Sequence, residues 1–322
     1  MENVTKKDLV QWSRMGPRAM FGQFMLKLGE THDDLMVISA DLGRSSGLDR
    51  FKNQFPEKYL SVGISEQNLI GVASGMAKEG FKVFVTSFAP FLSMRASEQI
   101  RMNLGYMELG VNLVALGSGL SMGFLGNSHY GLEDISVMRT IPKLKIHCPS
   151  DCFELREIID DLSNNERGPA YIRLTGIPGM PHVHNENYSY QYGKLHQLRD
   201  GKDVLVIATG SMVSQSQIAV EKLAEKGIEA ALINLHTVKP LPGELMEIIK
   251  NFDRVVCIEE HTMVGGVFGA IAEQMVLNRI SKEVLTINLP DAYGPTGTYL
   301  YLLDYYGLTG EKITQKIESF MR

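Results

Sequence analysis

The side chains best suited to chemistry cluster in one stretch of the sequence, residues 62–102. A short segment beginning at Val62 ends in the carboxylate of Glu66, and an apolar strand pattern then leads to two aromatic residues, Phe88 and Phe91. Burial favours the protonated form of a carboxyl group, which can share its proton with a ring nitrogen. Aromatic faces hold flat rings by stacking. These residue types therefore predict a receptor for a flat, basic heterocycle.

A second candidate, His129, lies in the glycine-rich loop GSGLSMGFLGNSHYG, which follows an apolar strand pattern at residues 111–116. In doubly wound sheets, ligands bind at the loops that leave the carboxyl ends of the strands. We therefore predict that His129 faces a substrate. The alternative is a histidine with an ordinary structural or exposed role.

The elements that must position these residues alternate between short apolar strands and helices. The strand patterns of the first half fall at residues 35–40, 83–87, 111–116, 144–147 and 169–173. Continuous apolar runs of this length predict parallel strands buried on both faces. The predicted fold class is α/β, with two doubly wound, mostly parallel sheet domains at residues 1–176 and 203–322. Residues 177–202 lose the pattern and are predicted to be a linker.

The composition argues against several classes of partner. The 322 residues are 44% hydrophobic and 21% charged, with a formal net charge of -5 and no block of Lys or Arg. Neither nucleic acid nor an anionic membrane is therefore expected as a partner. We see neither a signal-peptide pattern nor the run of about 18 apolar residues that a membrane helix needs. Three cysteines, an odd number, predict reduced thiols in a cytoplasmic protein.

An ordered set of short motifs resembles the C-terminal half of a transketolase over nearly the whole chain. In the first domain these are SADL at 39–42, GISEQ at 63–67, FAPF at 88–91, SHYGLED at 128–134 and PAYIR at 169–173. In the second domain they are ATGS at 208–211, VKP at 238–240, EEH at 259–261, DAYG at 291–294 and YGLT at 306–309. The resemblance implies a pyrimidine-binding domain followed by a transketolase C-terminal domain. It also implies a thiamine diphosphate enzyme that transfers a two-carbon ketol unit from a ketose phosphate to an aldehyde.

The resemblance implies that Glu66 is catalytic and binds the cofactor by hydrogen-bonding N1′ of its aminopyrimidine ring. Carbanion chemistry then belongs to the cofactor. Phe88 and Phe91 are implied to pack against the pyrimidine, and Ile64 and Asp41 to lie beside the cofactor. The structural alternatives are a helix-capping carboxylate for Glu66, plain core for the two aromatic residues and a capping turn for Asp41.

The resemblance also implies a set of substrate-binding residues. His129 would face the substrate as a catalytic residue, and Arg18, Ser45 and Arg173 would bind the sugar phosphate. The planar guanidinium of arginine suits this role because it bonds phosphate oxygens in pairs. The alternatives are a helix surface charge for Arg18 and a solvated charge at the sheet edge for Arg173. For Arg95 we expect a structural role, paired with a carboxylate or across a subunit interface.

The chain departs from the family pattern just before His129. Transketolases usually carry Gly-Glu-Asp-Gly there, and its Asp reads a hydroxyl group of the sugar. In this chain the corresponding residues are Gly123, Phe124, Leu125 and Gly126. Because a site built to bond a hydroxyl strongly rejects analogues that lack it, losing the acid should redirect substrate choice. We predict an unusual sugar, deoxygenated or branched.

The second departure concerns the diphosphate and its divalent cation, Mg²⁺ or a similar ion. The family binds them with Gly-Asp-Gly followed downstream by Asn, and these residues contain no Gly-Asp-Gly. We therefore expect no metal ligands in this chain. The expected partner is a separate N-terminal transketolase subunit with the diphosphate-binding domain, in a heterotetramer with two copies of each chain. Alone, this chain is expected to be inactive.

Three rival interpretations stay open. The β subunit of a 2-oxo-acid dehydrogenase has a similar length and carboxylate motif, but the SHYGLED and YGLT motifs favour transketolase. A non-catalytic partner subunit would be expected to have lost Glu66. A deoxyxylulose phosphate synthase normally keeps both halves on one chain.

Overall fold

A seven-stranded sheet organises the N-terminal part of the chain. The structure, a computed structural model, describes residues 4–322. The strands of this sheet are β1 (Leu35–Ser39), β2 (Tyr59–Ser61), β3 (Lys82–Phe88), β4 (Val111–Leu116), β5 (Lys145–His147), β6 (Ala170–Arg173) and β10 (Thr237–Lys239). Their order across the sheet is β10-β5-β6-β4-β3-β1-β2. All neighbouring pairs are parallel except β10 and β5, which are antiparallel.

The central strands are buried along their whole length. Every residue of β1, β4 and β6 is buried. A strand covered by helices on both faces is mostly apolar, and this is why β1 and β4 read as nearly continuous apolar runs.

The helices around this sheet begin and end at recognisable signals. They are α1 (Lys6–Met15), α2 (Pro17–Thr31), α3 (Asp49–Gln54), α4 (Glu66–Lys78), α5 (Ser97–Gln99), α6 (Asp134–Arg139) and α7 (Cys152–Asn164). Thr5 and Asp8 form a reciprocal capping box at the start of α1, and Asp151 caps α7. Gly16, with φ 79°, separates α1 from α2, and Pro17 takes the first helical position of α2.

One predicted helix differs from expectation. The pattern at residues 95–103 predicts an α-helix, but the structure has π-helical turns at Phe91–Arg95 and Ile100–Tyr106 on either side of α5. The wider turns change which side chains share a face, so a period of 3.6 residues does not describe this segment. Single π-helical turns are frequent at functional sites.

The second sheet has five strands and lies in the C-terminal part of the chain. Its strands are β7 (His196–Arg199), β8 (Val204–Ala208), β9 (Ala230–Asn234), β11 (Arg254–Thr262) and β12 (Glu283–Leu289), in the order β12-β11-β8-β9-β7. Only β7, paired with β9, is antiparallel. Its helices are α8 (Met212–Ala224), α9 (Leu245–Lys250), α10 (Val267–Leu277), α11 (Tyr299–Tyr306) and α12 (Gly310–Met321). The α/β class, with two mostly parallel sheets, is confirmed.

The two halves share structure at their boundary. Strand β7 lies inside the predicted linker at 177–202 and forms an edge of the second sheet. Strand β10 follows β9 in the chain but joins the first sheet beside β5. The largest buried apolar cluster accordingly contains side chains from both halves, among them Ile38, Val85, Ile207 and Ile233.

Two further features bear on the sequence-based expectations. Cys148, Cys152 and Cys257 are free and buried, and burial raises the pKa of the Cys148 thiol to about 12. In the part of the chain that the structure describes, no helix is both long and apolar enough to cross a bilayer.

Candidate active site

The carboxyl ends of four neighbouring strands bring most of the predicted site residues to one edge of the first sheet. In the order β4-β3-β1-β2, these strands are followed by His129, Phe91, Asp41 and Glu66 respectively. Parallel strands end at the same edge, and loops at this edge form the ligand sites of doubly wound sheets.

Glu66 is the first residue of α4 and is buried, with 2% of its surface exposed. Its Oε1 accepts a hydrogen bond from the Ser87 hydroxyl at 3.2 Å, and its Oε2 accepts one from Nη1 of Arg95 at 2.8 Å. A carboxylate at a helix N-terminus is further favoured by the helix dipole. The arrangement fixes one acidic group at the sheet edge, and it gives Arg95 the carboxylate partner that its predicted structural role requires.

Three aromatic rings form a cluster beside this carboxylate. The ring centroid of His129 lies 5.7 Å from that of Phe88 and 5.3 Å from that of Phe91, and the two phenyl rings are 6.1 Å apart, all edge to face. The Arg95 guanidinium lies 4.3 Å from the centroid of Phe91. Arg95 therefore connects the carboxylate to the aromatic cluster.

Two further predicted cofactor residues lie in the loops at the same edge. Ile64 is 77% exposed and follows Gly63, whose φ of 73° is in the left-handed region. Asp41 follows β1 and also has a positive φ, 58°, an uncommon conformation to which aspartate is better suited than most residues. Both side chains face away from the protein interior.

The elements carrying Arg18 and Ser45 pack directly on each other. Arg18 lies in the first turn of α2, and Ser45 lies exposed in the turn after β1. Gly22 of α2 approaches the backbone of Gly47 so closely that a Cβ on Gly22 would lie 2.0 Å from the Gly47 carbonyl oxygen. Arg18 is half-buried, and this burial lowers the pKa of its guanidinium.

Arg173 is buried, contrary to the alternative of a solvated charge at this edge, and its contact with a sugar phosphate stays a prediction. It is 1% exposed, and its Nε lies 2.9–3.0 Å from the two carboxylate oxygens of Asp134. Its Nη2 donates to the carbonyl oxygens of Gly131 and Glu260, each at 2.9 Å. These internal bonds argue against a contact with a sugar phosphate, and Arg173 is not part of the site that we propose below.

The sequence did not single out several polar groups that support the site. Ser87, inside an apolar strand, is bonded to Glu66, and a serine among apolar residues directly before Phe88 is the signal that could have indicated it. Glu260 is buried and bonded to Ser211 and Tyr299. The sequence marks Glu260 only as part of the EEH motif at 259–261. It does not indicate the role of this side chain, because Ser211 and Tyr299 are distant from it in sequence.

The described residues, 4–322, include no group of three or more His, Cys, Asp or Glu side chains arranged to hold a metal ion. The location of the divalent-cation ligands stays a prediction.

Comparisons with known proteins agree with this architecture. Residues 14–176 match the transketolase pyrimidine-binding domain, and residues 193–313 match the transketolase C-terminal domain. The chain is 37% identical to a putative transketolase C-terminal section of Methanocaldococcus jannaschii, over 95% of this chain and 96% of that protein. It is 33% identical to a 6-deoxy-6-sulfo-D-fructose transketolase subunit of a Clostridium species, over 92% of each. A solved split-gene transketolase, described as an inactive β4 tetramer, is 32% identical with a TM-score of 0.86, over 95% of this chain and 98% of that one.

Proposed function

The chain belongs to the transketolase family, and we propose that it supplies the pyrimidine-binding half of a two-chain, thiamine diphosphate-dependent transketolase. The observation that carries the proposal is the buried Glu66 carboxylate at the start of α4, beside the cluster of Phe88, Phe91 and His129. A carboxylate can bond a ring nitrogen, and aromatic faces can hold a flat ring.

The residues present fit the pyrimidine part of this cofactor. The buried Ser87 hydroxyl and the half-exposed Arg95 guanidinium orient the carboxylate of Glu66, and Phe88 and Phe91 supply an apolar wall beside it. When bound, thiamine diphosphate supplies the carbanion chemistry of ketol transfer. In our proposal Glu66 holds the ring and shares a proton with it, while His129 contacts the sugar and Arg18 and Ser45 bind its phosphate.

We infer that a second chain supplies the diphosphate and Mg²⁺ sites. The family match covers the pyrimidine-binding and C-terminal domains, and Gly-Asp-Gly does not occur in the sequence. A relative of the same extent is described as inactive when assembled as a tetramer of one chain type. We propose an assembly of two copies of this chain with two N-terminal-half subunits.

We further propose that the sugar lacks a hydroxyl group that common pentose phosphates carry. Phe124 and Leu125, which precede His129 in the same loop, are 74% and 51% exposed, and their side chains can accept no hydrogen bond from a sugar hydroxyl. One relative is named for 6-deoxy-6-sulfo-D-fructose, a sugar that carries a sulfonate group in place of its C6 oxygen, and this name supports a substrate other than the common pentose phosphates.

The proposal is tested by co-expressing the chain with its N-terminal-half partner and supplying thiamine diphosphate and Mg²⁺. Ketol transfer from a ketose phosphate to an aldehyde is expected with both chains present and absent with either alone. Release of CO₂ from pyruvate or another 2-oxo acid would instead favour a dehydrogenase β subunit or a deoxyxylulose phosphate synthase. A clear preference for xylulose 5-phosphate over deoxy sugars would contradict the proposed substrate class.

The matched variants are Glu66→Gln in the site and Glu311→Gln on the exposed surface of the second domain. Because an amide cannot share a proton with the ring nitrogen, Glu66→Gln is expected to lower kcat by about 10²–10⁴-fold. Assembly, measured by light scattering, should not change. Glu311→Gln should keep the full rate. A Glu66→Gln complex with an unreduced rate would favour a non-catalytic partner subunit.

A further inference from the structure

The loop that carries His129 is built into the core of the C-terminal domain rather than into that of its own domain. Residues 117–131 connect β4 to α6, so both ends of the loop belong to the first domain. Yet the buried side chains of Leu120 and Tyr130 pack in the apolar cluster of the second domain, with Val206, Ile258 and Leu303. The base of the loop is closed by a backbone bridge between Gly119 and Gly131.

Reciprocal polar contacts join the outer part of the loop to the segment before α11. Nδ2 of Asn127 donates to the Gly294 carbonyl oxygen at 2.9 Å, and Oδ1 of Asn127 accepts from the Gly294 amide at 3.2 Å. The Tyr130 hydroxyl lies 2.7 Å from the Gly123 carbonyl oxygen and 3.1 Å from that of Pro295. Asn127 and Tyr130 flank His129, so these bonds act on the backbone that carries the histidine.

A buried carboxylate of the second domain holds the start of the loop. The side chain of Glu260, at 1% exposure, accepts the Leu120 amide and the Ser211 hydroxyl, each at 2.5 Å, and the Tyr299 hydroxyl at 2.6 Å. A buried carboxylate left without these donors would lose much of the bonding that offsets its desolvation, so displacing the loop is costly.

We propose that the C-terminal domain positions His129 against Phe88 and Phe91, with Asn127 as the positioning residue that ties the two domains beside the substrate. The inference rests on the proposed function, because it gives His129 a substrate to contact. It assigns the C-terminal domain a part in activity, although the predicted cofactor-binding residues lie in the first domain. Small displacements matter here because catalytic groups must be held within about 0.5 Å of their productive position.

Hydrogen exchange tests whether the contact holds the loop, and it does not depend on turnover. Asn127→Ala removes the two bonds to Gly294. In the assembled complex, the amides of His129 and Tyr130, both bonded to the Gly126 carbonyl oxygen, should then exchange about tenfold faster. The matched control is Asn278→Ala, an exposed asparagine whose Nδ2 donates to the Gln274 carbonyl oxygen at the end of α10. Equal exchange of this loop in both variants would overturn the proposal.

A double-mutant cycle tests whether Asn127 acts through His129. In the wild-type background, Asn127→Ala should lower kcat/KM for the sugar about tenfold with no change in the half-saturating concentration of thiamine diphosphate. In a His129→Ala background the same change should have almost no effect. An equal loss in both backgrounds, or faster exchange without loss of turnover, would overturn the proposal. If the wild-type complex transfers no ketol unit, the proposed function fails, and the exchange experiment alone decides whether the domain holds the loop.

Discussion

Asp134, the first residue of α6, and Arg173, the last residue of β6, form a fully buried ion pair. Asp134 also accepts the Tyr171 hydroxyl at 2.9 Å, and Arg173 also bonds two backbone carbonyl oxygens. Because each charge is buried at 1% exposure or less, neither can replace its partner with water. A buried pair of this kind adds little net stability, but removing one partner leaves an uncompensated charge.

We predict that Asp134→Asn lowers the free energy of unfolding by about 3–5 kcal/mol, because the buried Arg173 guanidinium then loses the carboxylate to which it is bonded. Urea unfolding at neutral pH measures the change. Arg254→Ala is the control, since its partner Glu283 is largely exposed, and a loss below about 1 kcal/mol is expected there. If Asp134→Asn cost no more than this control, Arg173 would not depend on its carboxylate and a phosphate contact would regain support.

At the scale of elements, the sequence predicts the long, regular pieces and misses those defined by distant partners. Strands β1, β3 and β4 follow from their apolar runs, and the break between α1 and α2 follows from Gly16 and Pro17. Strands β2 and β10 have three residues each, and they exist because a neighbouring strand offers its backbone groups.

The site follows the same division between local and distant information. The carboxyl ends of parallel strands lie at one edge of a sheet, and this rule places four residues at the same edge: Glu66, Phe88, Phe91 and His129. The position of Arg173 could not be predicted, because its carboxylate partner lies 39 residues earlier and its other contacts reach the second domain. Local spacing carries no information about such contacts.

A buried polar cluster joins β5, α7 and the linker to the second domain. His147 ends β5, and Glu154 of α7 accepts the Tyr188 hydroxyl at 2.7 Å and the amide of Asn234 at 2.8 Å. His184 stacks on Tyr188 with ring centroids 3.7 Å apart. Burial, with a smaller contribution from the nearby His236, lowers the pKa of His147 from 6.5 to about 3.

This lowered pKa predicts how stability changes with pH. Between pH 6.5 and about 3, the unfolded chain binds a proton at His147 that the folded chain does not, so stability is lost as the pH falls. The slope from one such group is at most about 1.4 kcal/mol per pH unit. His147→Gln should remove this pH dependence from the free energies of unfolding in urea, measured between pH 6 and 5. In that range Glu154, whose pKa is lowered from 4.5 in the folded chain, is largely ionised in both the folded and the unfolded chain. His182→Gln, at an exposed histidine, should leave the slope unchanged. Equal slopes in all three proteins would contradict the prediction.

On the scale of the whole molecule, the two domains share a core and a sheet. The shared cluster joins Ile38 and Val85 to Ile207 and Ile233, and β10 adds Val238 beside β5. The Cys148 amide donates to the His236 carbonyl oxygen at 2.7 Å across the same boundary. Each fully buried Val or Ile contributes roughly 1.5–3 kcal/mol, so losing a few of them compares with the 5–15 kcal/mol that stabilises a typical domain.

We therefore predict that the chain unfolds as one unit and that residues 1–176 alone do not fold stably. Calorimetry of the full chain should show one transition, with equal calorimetric and van't Hoff enthalpies. The fragment should bind a hydrophobic dye and lack a cooperative transition, because it exposes its side of the shared cluster. The control is the full chain cleaved at a protease site inserted at residues 185–187, where Asn185 and Asn187 are exposed, which keeps both halves present. The halves should stay associated, since it is the interface and not the covalent link that stabilises the first sheet. A fragment 1–176 that unfolds cooperatively by itself would show that the first sheet needs neither β10 nor the C-terminal side of the shared apolar cluster.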